Sequence, residues 1–485
     1  MPDSPDPMST PQHVRVPVKT KIGWGTGGFL ENTVGNSIGV MALPIFNIAL
    51  GLSPVWLGWA LSIPRLLDAL TDPVFGTLSD NTRTRWGRRR PWLFFAGIAT
   101  PICLAMIWSV PTDWSQTAIF IWFTIFCALT YVIASAYSIP YNALGFELSS
   151  DYNERTSVQS WRFFFIACSG LLVGWLYRIA LLPLFSGPPV EGVNPEVIGM
   201  RNLMWILAPI LILIALCPAI FSRETIAIQS QPKIGLREGF RMTARNRPFL
   251  IFVLLGLFSL TGGALVGPFG LYLSIFYVCD GSKEMAATIA GTGTILNTLL
   301  SFALIPVVYR ISSAIGKKEM LIIAQLALML GSALTWVVFN PAFPWLMIAA
   351  IPLNCFALTC FLILNGSVLA DICDYDQLHT GLRREGMYGA VAAFIGKMAG
   401  SSIAILSGYM LLWAGYVTEA TISDDVLLRM RIMYVVVPAG LGLVGLLLTL
   451  AFPLTKKRCL EIRTTLAERE DAERRALQSS AIHPG

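Results

Sequence analysis

Two carboxylates four residues apart, Asp68 and Asp72, stand with Arg65 in the segment Arg65-Leu-Leu-Asp68-Ala-Leu-Thr-Asp72-Pro, within a stretch otherwise suited to lipid. That spacing puts both acids on one helix face, with Arg65 one turn ahead of Asp68. A charge at the centre of a bilayer costs at least about 2.5–3.5 kcal/mol, and such residues mark ion or substrate pathways. Side by side, and with the Thr71 hydroxyl close in sequence, the two acids offer oxygen donors to a small hard cation. Neighbouring acids also raise each other's proton affinity, so a proton is the alternative guest. Pro73 and Gly76 loosen the helix and free backbone carbonyl capacity for the same ion. An internal pairing of the acids with Arg65, serving packing alone, is the competing reading.

Other ionisable groups lie at similar depth. Lys397 sits in Phe394-Ile-Gly-Lys-Met-Ala-Gly-Ser-Ser402, too far from a helix end for easy snorkelling. It is expected to face a cavity, neutralising the acids when no cation is bound or donating to a solute. Arg162 is either an interfacial anchor or a planar fork of donors for solute hydroxyls or a carboxylate. Glu31 and Asn32 lie inside the first span, Asn32 being either a solute contact or interhelical glue. The run Arg83-Thr-Arg85-Trp-Gly87-Arg88-Arg89-Arg90 orients the chain and contacts anionic headgroups. Its Gly and Arg pattern also suggests ion-pair latches to acids such as Asp80 or Glu147.

The elements that must position these residues are membrane helices. Of 485 residues, 55% are hydrophobic and 13% charged, and the mean hydropathy is +0.64; a soluble domain carries about 25% charged residues. Charged clusters separate apolar runs of bilayer-spanning length. They predict twelve helices near 22–49, 56–79, 91–110, 116–146, 158–185, 202–222, 248–278, 285–312, 319–339, 343–370, 388–415 and 429–454. The net charge of +6 is carried by alternate loops, so the positive-inside rule explains it without nucleic acid and puts both termini in the cytoplasm. Nine scattered cysteines form no CxxC pair and read as small core residues. Three histidines and no nucleotide-binding loop speak against a metal site, ATP-driven transport or catalysis.

The halves echo each other. Trp86-Gly87-Arg-Arg-Arg-Pro precedes one span and Ile315-Gly316-Lys-Lys-Glu-Met another, at a spacing of 316 − 87 = 229; Asp151-Tyr-Asn-Glu-Arg155 matches Asp374-Tyr-Asp at 374 − 151 = 223. A repeat of this length implies two parallel six-helix halves. The expected architecture is an all-α polytopic membrane protein with twelve transmembrane helices in two pseudo-symmetric six-helix bundles. Its parts are a disordered cytoplasmic N-terminus (1–20), the first bundle (21–222), a cytoplasmic linker (223–247), the second bundle (248–455) and a cytoplasmic tail (456–485). The charged tail reads as a solvated helix.

Together these segments resemble the major facilitator superfamily, and within it the glycoside-pentoside-hexuronide:cation symporters, over nearly the whole chain. The matching segments are Asp68-Ala-Leu-Thr-Asp72-Pro, Arg83-Thr-Arg-Trp-Gly-Arg-Arg-Arg-Pro-Trp92, Ile139-Pro-Tyr-Asn-Ala-Leu144 with Asp151-Tyr-Asn-Glu-Arg-Thr156, and Ala370-Asp-Ile-Cys-Asp-Tyr375. The resemblance implies that Asp68, Asp72, Thr71 and Ser135 bind the coupling cation. It implies a solute site at Glu31, Asn32, Ser138, Asn142, Arg162 and Lys397, and gating or cytoplasmic-motif roles for Arg65, Asp80, Arg85, Gly87, Arg88, Arg89, Arg90, Asp151, Arg155, Asp371 and Asp374. Asn32 and Ser138 replace two sugar-binding acids found in the melibiose:cation symporter, and Asn142 replaces its stacking tryptophan. Melibiose is therefore disfavoured as the solute.

The functional expectation is symport of sodium or a proton with a glycoside, pentoside or hexuronide by alternating access, as a monomer in the cell inner (plasma) membrane with no other cofactor. A lysolipid transporter of the same fold is the first alternative. A membrane sensor or scaffold without transport is the second.

Overall fold

A computed structural model describes residues 16–148, 152–188, 194–222, 243, 246–381, 384–416 and 422–482. Among these, every extended element is helical. The first half runs α1 (Val18–Gly25), α2 (Gly27–Ala42), α3 (Pro54–Asn81), α4 (Arg90–Ile107), α5 (Gln116–Glu147), α6 (Tyr152–Ala180), the short α7 (Pro183–Ser186) and α8 (Pro195–Phe221). The second runs α9 (Arg247–Tyr272), α10 (Lys283–Ile315), α11 (Lys317–Val338), α12 (Ile351–Thr380), α13 (Glu385–Trp413), α14 (Asp424–Ala451) and α15 (Lys456–Ile482).

In hydrocarbon every backbone polar group must be satisfied within the segment, which is why apolar runs of this length become helices. Ten of the described helices are long and apolar enough to cross a membrane. The spans α1–α2 and α3 fall outside that ten, and they carry Glu31, Asn32 and Asn36 in one case and Arg65, Asp68 and Asp72 in the other. Counted together these make the twelve spans of an all-α membrane protein. Several helices outrun the apolar stretches predicted from sequence. α6 starts at Tyr152, before residue 158, and α12 runs to Thr380, past residue 370. Hydropathy counts only the hydrocarbon-facing part, whereas the backbone ladder continues until a cap or a turn stops it. For α12 the stop is Gly381, in the left-handed region at φ +71°.

The chain divides into two compact units, Met1–Leu52 with Ile63–Gln231, and Ser53–Ser62 with Pro232–Gly485. In the first, α2 packs on α6, and α4 on both α5 and α8. In the second, α14 packs on α9 and α11, and α12 on α10 and α11. The expected linker, 223–247, lies almost wholly outside the described residues, as does the N-terminus before residue 16.

The internal repeat is visible in the backbone. α2 passes into a π-helical turn at Leu43–Ala49, and α9 does the same at Leu273–Val278. Gly87 and Gly316, the two echoed glycines, both have positive φ, +104° and +116°, a conformation that favours glycine. Each precedes a basic residue that pairs with an acid on a distant helix: Arg88 with Glu147 at 3.3 Å, and Lys317 with Asp371 at 2.5 Å.

Close approach of helices also depends on glycine. A Cβ on Gly199 of α8 would overlap the Ala180 carbonyl at the end of α6. Gly199→Ala is expected to destabilise the protein by about 1–3 kcal/mol, because overpacking outweighs the gain in helix propensity. The check is the thermal unfolding midpoint of the purified variant.

The tail departs from the sequence expectation. Rather than being solvated throughout, α15 docks by its first turns. Ile462 is 2% exposed; Arg463 reaches Asp371 at 2.8 Å and Asp374 at 3.3 Å. Burial and the neighbouring Asp371 carboxylate push the Cys459 thiol up to about 11.

Candidate cation and solute site

The acids of α3 meet α5. Ser135 is buried, at 2% exposure, and its hydroxyl lies within hydrogen-bond distance of both carboxylates: Asp72 Oδ1 at 2.9 Å, and Asp68 Oδ1 closer still. A serine hydroxyl carries one proton and can donate fully to one oxygen. Two half-buried carboxylates brought to one hydroxyl place several oxygen donors within reach of a small hard cation. Pro64 and Pro73 interrupt the α3 ladder on either side of the pair, each removing one backbone donor.

Thr71 is not joined to this group by its hydroxyl proton, which goes back to the Asp68 carbonyl at 3.2 Å. Arg65 lies toward α2, its Nη2 3.8 Å from where a Gly39 Cβ would be. It also acts electrostatically on the buried Tyr131 hydroxyl of α5, as Asp68 does.

Along α5 from Ser135, Ser138 and Asn142 follow at one-turn intervals and lead to a second polar cluster. Arg162 of α6 pairs with Glu31 of α2 at 2.6 Å, their side chains 22% and 29% exposed. Asn142 Nδ2 donates to Glu31 Oε1 at 3.2 Å and to the Ser138 carbonyl at 2.9 Å. The guanidinium carbon lies 5.7 Å from the Tyr141 ring centre, and that ring stacks on Trp24 at 4.9 Å. Gly28 makes room for the arginine, since a Cβ there would lie 2.8 Å from Arg162 Cγ. Three helices thus hold one ion pair with a carboxamide and an aromatic face, a set able to read a hydroxylated or charged solute.

Asn32 does different work. It donates to Ser169 at 3.1 Å, tying α2 to α6, and accepts from Asn36 of its own helix at 2.7 Å. Lys397 lies half-buried on α13 in the other unit, with its carbonyl accepting from Ser401 at 3.1 Å.

The basic motif forms the ion pairs that its sequence suggested. Arg89, 7% exposed, donates to Asp80 at 3.3 Å and forms an ion pair with Glu147 at 2.9 Å; Glu147 is 2% exposed and also takes Arg88. Arg90 donates to the Ala219 carbonyl at 2.6 Å, whereas Arg85 is exposed. Asp371 and Asp374 are held by Lys317 and Arg463. Asp151 and the Arg155 side chain lie outside the described residues. Sequence reasoning missed Arg463, which looked like one more solvated tail charge. It also did not foresee that Glu31 and Arg162 pair with each other.

Known proteins resemble the chain over most of its length. Residues 23–456 match the family model described as MFS/sugar transport protein. The putative glycoside/cation symporter YagG of Escherichia coli is 24% identical over 96% of this chain and 98% of its own. The sodium-dependent lysophosphatidylcholine symporter 1 of Gallus gallus is 24% identical over 99% of this chain and 95% of its own. The solved nucleoside transporter NupG superposes with a TM-score of 0.61 at 16% identity, covering 89% of this chain and 98% of that one, which shows a shared fold. With residues 23–456 matched by that model, the chain belongs to the major facilitator superfamily (MFS) sugar-transport family.

Proposed function

We propose that the chain is a secondary active symporter that couples inward movement of sodium or a proton to uptake of a glycoside, pentoside or hexuronide by alternating access. The observation that carries this reading is the convergence of Asp68 and Asp72 on the single Ser135 hydroxyl within a membrane span. Asp68, Asp72 and Ser135 hold the cation, with Thr71 able to add a lone pair by a change of rotamer. Glu31, Arg162 and Asn142, with Ser138 beside them, read the solute, and Lys397 adds a cation on α13. Arg89, Glu147 and Asp80 latch the inner ends of α3, α4 and α5, and the Lys317–Asp371–Arg463 group serves the second unit in the same way. The protein acts as a monomer in the inner (plasma) membrane with both termini cytoplasmic.

The names of the relatives support this reading, YagG for a glycoside and a cation. The Gallus gallus relative supports a lysolipid as the second reading. Proteoliposomes given an inward sodium or proton gradient, with radiolabelled glycosides, glucuronides or lysolipids outside, test both readings. One gradient should drive glycoside uptake. Ser135→Ala should raise the half-saturating concentration of that cation about tenfold, the equivalent of roughly 1.4 kcal/mol for one lost oxygen partner. Gradient-independent uptake, or uptake of lysolipid alone, rejects the primary reading.

A further inference from the structure

Within the second unit, helices α9, α10, α11, α12 and α14 line an open cavity of about 530 Å³ that none of the sites above uses. Its polar lining includes Asn297, Asn354 and Tyr434, and among the described residues no Asp, Glu, Lys, Arg or His lines it. These groups are under-used by the protein. Asn354 donates one N–H to the Ala350 carbonyl at 3.2 Å. Among the described residues its oxygen, the Asn297 carboxamide and the Tyr434 hydroxyl take no hydrogen bond. Unpaired carboxamides at membrane depth are costly, so the cavity calls for groups that both donate and accept, as hydroxyls do. An anion would find no countercharge among the described lining residues, which favours a neutral guest.

A second cavity, about 340 Å³, shares Thr335, Asn354, Leu358 and Tyr434 with the first and is walled chiefly by apolar side chains such as Leu260, Leu321 and Phe361. Its main polar pair is joined, since Gln325 donates to Ser259, and the buried Gln325 Oε1 is left as one acceptor without a partner among the described residues. For scale, an apolar protein cavity of about 150 Å³ accepts a benzene molecule.

We propose that these adjoining cavities form a solute subsite for a neutral glycoside, Asn297, Asn354 and Tyr434 holding the sugar ring and the apolar cavity holding an alkyl or aryl aglycone. This inference rests on the symport reading and narrows its solute from the wider glycoside, pentoside and hexuronide class. The fold supplies clean probes. A Cβ on Gly263, which lines the apolar cavity, or on Gly267, which lines the polar one, would meet nothing within 4 Å. Leucine at either position fills space without forcing the backbone.

The test is equilibrium binding to the purified full chain in nanodiscs, at several sodium concentrations and pH values. The probes are phenyl and methyl glycosides of glucose, galactose and xylose, with phenyl glucuronide and a lysophosphatidylcholine. For at least one sugar the phenyl glycoside should bind about tenfold tighter than the methyl glycoside. Gly263→Leu should erase that difference, and Gly267→Leu or Asn297→Leu should weaken both by about tenfold or more. Equal binding of phenyl and methyl forms, tighter binding of glucuronide or lysolipid, indifference to the leucine variants, or no glycoside binding at all overturns the subsite. Glycoside binding that depends on Asn297 but not on any cation leaves the subsite standing and defeats the symport reading instead.

Discussion

Replacing Asp72 with asparagine should lower accumulation of a neutral solute from about fifty-fold to about one-fold in energised vesicles, and Asp68→Asn should do the same. One elementary charge moving down 100 mV supplies about 2.3 kcal/mol, which corresponds to roughly fifty-fold accumulation. The carboxamide keeps the size of the acid, and its N–H₂ can donate to Ser135 Oγ while that hydroxyl donates to the remaining carboxylate. The local hydrogen bonding therefore survives, and the loss should be one of coupling rather than of folding. Transport assayed with thermal unfolding separates the two. Undiminished uphill uptake in both variants, at normal expression, would reject the assigned role.

The largest expected effect on stability comes from the Arg89–Glu147 pair of the first unit. Glu147 and Arg89 are both almost wholly buried, at 2% and 7% exposure, and lie 2.9 Å apart. Removing one partner of a buried pair leaves an uncompensated charge and costs about 3–5 kcal/mol. Glu147→Ala leaves Arg89 with the longer contact to Asp80 and weakens the hold on Arg88, so it belongs at the lower part of that range. The paired change of Glu147→Leu with Arg89→Met removes both charges and should recover most of the loss. Denaturation of the single and double variants in detergent decides the matter. A single variant as stable as the parent would show that water solvates the pair.

Much of the fold could be read from residues. Apolar run lengths located the spans, and even α3 was recognisable because its charges fall on one face among lipid-type residues. The Gly87 and Gly316 echo survived into three dimensions because a positive φ and a basic residue after it do the same mechanical work in each half. What escaped were partnerships that cross helices. Asp68 and Asp72 declare themselves by a spacing of four, but Ser135 lies 63 residues further on from Asp72 and entered only through family resemblance. Asn32 was open between solute contact and structural tie, and only the position of Ser169 on α6 decides its hydrogen bonds. Glu31 and Arg162 looked like separate polar intruders because nothing in a linear pattern says that α2 and α6 pack together. Arg463 was hidden in a charged tail, where the one apolar residue beside it, Ile462, is a weak sign of docking.

The central claim is that a small positive guest occupies the place where two carboxylates share one serine proton. Its most direct measurement is the number of sodium ions or protons that enter proteoliposomes per solute molecule, followed with a sodium isotope and an internal pH dye. The expected result is about one cation per solute for the parent chain and none for Asp72→Asn. Solute entry by the parent chain with neither ion accompanying it would contradict the account.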